Sequence, residues 1–277
     1  MGIEIPLTQG LSLNIGDSYF DGKVYPTASL QKGFLLVDHG QALAEEAVGF
    51  GVPVLKSGLQ TIFPGAATLS WEQSDGIWEI TALFKLNLVE RISKVDQPVV
   101  KSKLFYASKN GLAALIRGLP SLRGLLTALS SHLRQLFGWE TIYSPASFST
   151  DLKVLYNVNT KIGSLGIEID TGDLPMEITE VMLMNELGAH AFDRYSDASG
   201  ILLQGQEIGC WDEVSAGEAW FESSGHRVAF RLGQVPGARL FRGRELVGSR
   251  LAWAGFGYSF APSIQRFRCE LSIEKRP

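Results

Sequence analysis

The chain has 277 residues, of which 45% are hydrophobic and 19% charged, with a formal net charge of −4. That balance supports a sizeable buried core and excludes a dedicated nucleic-acid binder, which carries a basic excess over its domain. Thirty glycines and an aromatic share of 10% favour many strands joined by tight turns, because aromatic side chains pack on pleated surfaces while glycine supplies positive φ.

Residues 1–100 read as strands and turns. Trp78, Ile80, Ala82, Phe84, Leu86 and Leu88 alternate with Glu79, Thr81, Leu83, Lys85 and Asn87. This period of two predicts one long strand, or two joined at a bend, with one face buried. Asp21-Gly22 and Asp75-Gly76 are turn signals, and the second lies between two apolar runs as a hairpin requires. The run Gly49-Phe50-Gly51-Val52-Pro53 is expected to be a loop, since glycine and proline weaken regular structure.

Residues 109–137 change character. Leu115, Leu119, Leu122, Leu126, Leu129, Leu133 and Leu136 recur at alternating steps of four and three, one stripe of a helix. Pro120 interrupts the stripe and predicts two short helices, or one kinked at Leu119, with Gly138 as the stop. Lys109, Arg117, Arg123 and Arg134 give this segment four cations and no acid. A leucine stripe opposite a basic face suits an anionic membrane, a partner surface, or the acidic remainder of the same chain.

The strand pattern resumes after Ser144-Pro145. Expected strands are Asp151–Val158, Leu165–Ile169, Ile178–Met184, Ile201–Leu203, Glu218–Phe221, Val228–Leu232 and Ile264–Ile273, with turns at Asp170–Asp173 and Ala198–Gly200. No internal repeat or low-complexity linker divides the chain. The expectation is a single mainly-β domain over residues 1–277, a large antiparallel sandwich or barrel-like assembly with a helical insertion near residues 109–137. Length and strand density are similar to those of the large sandwiches of sugar mutarotases, a resemblance of architecture alone.

Charge is segregated along the last third of the chain. Between Glu186 and Glu222 there are eight acids against Arg194, and between Arg227 and Arg250 six arginines against Glu245. The acidic stretch also holds Trp211, Trp220 and His190, and His226 follows it. Carboxylates beside tryptophans suit a sugar, whose apolar face stacks on an aromatic ring while carboxylates accept from hydroxyls or move protons. His190, Glu186 and Asp193 are the candidate catalytic groups, His190 lying in a turn after an apolar strand. Trp211, Asp212, Arg242, Arg244 and Arg250 are candidate ligand contacts, the arginines for an anionic group. The ordinary reading of the same segregation is a set of cross-strand ion pairs. His226 falls in phase with Val228, Phe230 and Leu232 and reads as a core-edge residue, and His39 beside Asp38 is a weaker candidate.

The glycine pairs of Gly49-Phe50-Gly51 and Gly255-Phe256-Gly257 lack the third glycine of a dinucleotide fingerprint. P-loop, nucleophile-elbow and zincin motifs are absent, and no cofactor is expected. Cys210 and Cys269 accompany no CxxC or Cys/His cluster, so neither a disulfide framework nor a metal site is expected. The first residues have no secretory pattern and no apolar run is long enough to span a bilayer, so a cytoplasmic location is expected. Three functions follow: a carbohydrate-binding or carbohydrate-processing sandwich; a non-catalytic binder of an apolar ligand or anionic membrane through Arg117, Arg123 and Arg134; and a structural protein assembling through its opposed charges.

Overall fold

The computed structural model describes residues 2–16, 30–44, 47–94, 139–247 and 251–276. The leucine-rich segment of residues 109–137, with Arg117, Arg123 and Arg134, lies outside the described residues, as do Asp21-Gly22 and Arg250. Among the described residues the helical element is a single 3-10 turn, Gly205–Ile208, and no helix is long and apolar enough to cross a membrane.

Four short strands, β1 (Ile3–Pro6), β2 (Leu11–Ile15), β3 (Leu35–Asp38) and β4 (Gln41–Ala42), form an antiparallel sheet in chain order. The next strands are β5 (Gly49–Ser57), β6 (Gln60–Ser74), β7 (Ile77–Lys94), β8 (Trp139–Asn159), β9 (Ser164–Asp170), β10 (Glu180–Leu187) and β11 (Arg194–Asp197). They are followed by β12 (Leu202–Gln204), β13 (Asp212–Glu213), β14 (Glu218–Ser223), β15 (Val228–Gly233), β16 (Ala238–Val247), β17 (Leu251–Phe260) and β18 (Arg266–Lys275). These fourteen make one sheet in the order β12-β11-β14-β15-β18-β9-β8-β7-β6-β5-β10-β17-β16-β13.

The long alternating run is β7, and its hairpin to β6 turns through Asp75 and Gly76, with φ values of 47° and 80°. Both residues are left-handed, as a two-residue turn matched to strand twist demands. The expected bend is also present. Register shifts between Phe63 and Ala66 on β6, and between Leu86 and Leu88 on β7, mark bulges that turn the sheet.

These bulges let one sheet become two layers. β5 and β15 are six strands apart in the sheet order, which in a flat sheet would separate them by about 29 Å. The rings of Phe50 on β5 and Phe230 on β15 are nevertheless 5.1 Å apart. Phe256 on β17 meets Phe221 on β14 at 4.9 Å, and Phe260 stacks on Phe267 of β18 at 4.2 Å. The sheet therefore folds over itself as a sandwich, with β5, β10, β17 and β16 facing β11, β14, β15, β18, β9 and β8 across an aromatic core.

The run of residues 49–53, expected as a loop, is instead the start of β5. Its glycines answer to tertiary packing. Gly51 has φ +78°, and a Cβ there would lie 2.5 Å from the Tyr156 ring. The Tyr156 hydroxyl donates to the Gly51 carbonyl at 2.6 Å, and the Asn185 side chain accepts from the Gly51 N–H at 3.0 Å. Strands β11, β16 and β17 are likewise absent from the strands read from sequence. The small sheet is attached through Asp38 at the end of β3, which accepts from Lys275 Nζ at 2.6 Å and lies 3.1 Å from His226 Nδ1. Burial pushes the Asp38 carboxyl up, but these hydrogen bonds and the Lys275 charge outweigh it and hold the group below its ordinary value.

Phe230 is fully buried and touches Phe50, Phe192, Phe221 and Phe256. Replacing it with alanine removes the ring that both layers share. We expect Phe230→Ala to cost about 3–5 kcal/mol in urea denaturation, the range for deleting a buried aromatic ring; a loss below about 1 kcal/mol would contradict the two-layer closure.

Candidate functional site

Alternation on β10 sends Val181, Leu183 and Leu187 into the sandwich and Met182, Met184 and Glu186 to the opposite face. On β17, paired with β10, Ala252, Ala254, Phe256 and Tyr258 point inward. The positions between them are Trp253, Gly255 and Gly257. The outer face of this layer thus carries a glycine row, and tryptophans fill the space. A Cβ on Gly257 would lie 2.9 Å from the Trp211 ring, and one on Gly243 would lie 2.7 Å from the Trp253 ring. Trp211 and Trp253 stack at 4.6 Å with their planes 19° apart. Apolar neighbours continue the surface: Met184, Val52, Val54, Phe63, Leu88 and Tyr143 form a second buried cluster against Trp211.

Glu186 stands at one end of this surface. It is buried, and its carboxyl is pushed up to about 8 from an ordinary value of 4.5. Burial is the main cause; the Val48 backbone N–H opposes it by donating to the carboxylate, and the charges of Glu245 and Glu90 reinforce it. Glu245 is on β16, cross-strand from Trp253, and Glu90 is on β7. A carboxylic acid that keeps its proton at neutral pH, within the field of two other carboxylates, is equipped to give a proton while a neighbour takes one.

The other residues singled out in the sequence are distributed differently. Arg242 and Arg244 lie cross-strand from the inward-facing Phe256 and Ala254, on the side of the sheet opposite Glu186. The Arg242 guanidinium sits 4.7 Å from the centre of the Tyr195 ring, donates to the Ile208 carbonyl and meets Asp212 at 3.3 Å. Arg244 donates to the carbonyls of Ala189 at 2.8 Å and Phe192 at 3.3 Å. The Arg242 contacts hold the segment around Gly205–Ile208, and with it the backbone on either side of Trp211, on the sheet, while the Arg244 bonds hold the turn after β10. Asp193 is half-buried, accepts from Ser224 Oγ at 3.3 Å and lies in the field of Arg244. His190 is exposed in the turn after β10, where Phe192 N–H bonds back to Gly188 at 3.0 Å. The single pocket expected for these residues is therefore divided between two sides of one sheet.

Trp253, Glu245 and Glu90 were missed by sequence reading. The signal for Trp253 was present: Ala252, Ala254, Phe256 and Tyr258 alternate with Trp253, Gly255 and Gly257, a strand pattern masked by the attention glycine pairs attract as nucleotide motifs. Glu90 and Glu245 come from strands remote in sequence, three and two strands from Glu186 in the sheet order, and act on it through their charges.

The raised carboxyl has a consequence for stability. The unfolded chain loses the Glu186 proton near its ordinary value, while the folded chain keeps it to about 8. Between these pH values the folded state binds more protons, so stability falls as pH rises through the window and levels off above it. We expect the Glu186→Gln variant to lack this fall and to exceed the parent protein in unfolding free energy from urea denaturation at pH 9, by on the order of a few kcal/mol; parallel pH profiles for the two proteins would refute the assignment.

No family model matches the chain, and no curated protein matches it. Solved structures do. The α-N-acetylgalactosaminidase NagBb from Bifidobacterium bifidum, in complex with Gal-NHAc-DNJ, is similar over 99% of this chain and 36% of its own length, at 11% identity and a TM-score of 0.51. Its ligand-free form matches over the same shares at 10% identity and a TM-score of 0.50. A galactose mutarotase-like protein from Clostridium acetobutylicum overlaps 99% of this chain and 95% of its own, but at 7% identity and a TM-score of 0.41, too distant for any comparison of sites. The chain thus spans little more than a third of the glycosidase it matches, and at this identity the likeness shows the fold alone: a large antiparallel β assembly of a kind found within a glycosidase.

Proposed function

We propose that this chain binds and processes a carbohydrate at the Glu186 face, by proton transfer between the buried Glu186 and a half-buried carboxylate. The carrying observation is the burial of Glu186 on the sheet face that also bears the stacked Trp211 and Trp253; that burial, with the charges of Glu245 and Glu90, pushes its carboxyl up to about 8. A fold shared with part of a glycosidase supports the same reading.

The chemistry that suits this arrangement is opening and closing of a sugar hemiacetal. A carboxylate, Glu245 or Glu90, takes the proton of the anomeric hydroxyl, the bond from the anomeric carbon to the ring oxygen breaks, and Glu186 gives its proton to that oxygen. The open aldehyde turns and the same groups close it in reverse, so no proton or electron is gained or lost. A tryptophan surface beside the acid holds the apolar face of the ring. The guanidiniums of Arg242 and Arg244 are engaged with backbone carbonyls on the other side of the sheet, which favours an uncharged sugar over an anionic one.

The test is the rate of anomer interconversion of freshly dissolved α-D-glucose and α-D-galactose, followed by proton NMR, together with hydrolysis of nitrophenyl glycosides. The intact chain is expected to accelerate one of these, and Glu186→Gln to lower that rate by about 10²–10⁴-fold, the contribution of a positioned acid. The rate is also expected to decline as pH rises through about 8, where Glu186 loses its proton. No acceleration of either reaction, or a Glu186→Gln rate equal to the parent's, would sink the proposal.

A further inference from the structure

The opposite layer of the sandwich has an outer face of its own, which carries an open groove of about 850 Å³ remote from Glu186. Its origin is a step in the sheet. β15 pairs with β18 only from Val228 to Leu232, so residues Arg266–Glu270 of β18 are paired on one side alone, with β9. The turn after Gly233 rises beside this step, held by the Tyr258 hydroxyl, which donates to the Gly233 carbonyl. Cross-strand registers then define the floor. Glu79, Asn157, Gly166 and Glu270 form one row across β7, β8, β9 and β18, and Thr81, Leu155, Glu168 and Arg268 form the next.

The chemistry of the lining narrows what can occupy it. Arg268 is paired with Glu168 at 2.7 Å and Arg231 with Glu218 at 3.3 Å. Both guanidiniums are thus neutralised, and Glu79 and Glu270 add negative charge, which disfavours phosphate, sulfate or uronate groups. Glu79 and Glu270 are three strands apart, about 14 Å at the usual strand spacing and too far to share one cation. An apolar ligand would strand these carboxylates without water. An extended, uncharged, hydroxyl-rich chain meets all three conditions. The two Arg–Glu pairs present donors and acceptors along the floor. Leu155, Val235 and Pro236 offer apolar contact to C–H faces, and Gly166 leaves the middle of the floor without a side chain. Trp220, cross-strand from Arg231, continues the same face one strand further.

We infer that this groove is a binding site for a neutral oligosaccharide, separate from the Glu186 face. A Cβ added at Gly166 meets nothing closer than Asn157 at 3.6 Å, so larger residues there fill the groove without disturbing the core. Calorimetric titration of the full chain with maltohexaose, cellohexaose and a trigalacturonate control provides the test. A neutral hexasaccharide is expected to bind, the galacturonate to bind more weakly, and Gly166→Leu to lower the hexasaccharide affinity about tenfold or more with the thermal midpoint kept. Should Gly166→Leu fail to fold, Asn157→Leu, exposed on the same floor, substitutes for it. Glu186→Gln is expected to leave this affinity unchanged, so loss of proton-transfer activity and loss of groove binding are separately readable. The inference is overturned if neither hexasaccharide binds at millimolar concentration, if galacturonate binds more tightly, or if the floor variants bind as the parent does.

Discussion

The closure of one antiparallel sheet on itself governs everything else in this molecule. Contacts such as Phe50 with Phe230 and Phe256 with Phe221 exist only because bulges in β6, β7 and β8 turn a fourteen-stranded ribbon into two layers. Side chains alternate along every strand, so committing one face to that aromatic core turns the intervening side chains to the other face of each layer. The Glu186 face and the groove are both such outer faces. The layer of β10 and β17 carries the buried Trp253, the half-buried Trp211 and an acid; the layer of β7, β8, β9 and β18 carries an open, charged floor.

Charge is handled in two ways, and their magnitudes differ. Arg231 with Glu218 and Arg268 with Glu168 are exposed cross-strand neighbours, each worth about 0.2–1 kcal/mol. Glu186 pays a desolvation penalty that exceeds any of these and is relieved only by holding its proton. The exposed pairs therefore decorate the sheet, whereas the buried acid marks a place where the fold tolerates a cost.

Local features were legible in the sequence and tertiary ones were not. The alternation of β7 and the Asp75-Gly76 hairpin depend on residues adjacent in the chain, and both are present as read. The segregation of acids from arginines correctly foretold cross-strand pairs such as Arg231 with Glu218 and Arg242 with Asp212. β5 and β17 escaped because their glycines are dictated by partners far away: Tyr156 crowds Gly51, and Trp211 crowds Gly257. Glu186 was singled out for the acids that follow it in sequence. Its actual charged neighbours are Glu90 and Glu245, and Arg242 and Arg244 face the other way, because phase along a strand decides which side of the sheet a residue serves.

The two borders of the long sheet are β12, of three residues, and β13, of two. A border strand offers unpaired N–H and C=O groups to any passing chain, and the hazard grows with its length. By tapering to such short borders, the ribbon of fourteen strands, open among the described residues, presents little template at its ends. Its open topology carries little of the self-association risk that its width would otherwise bring.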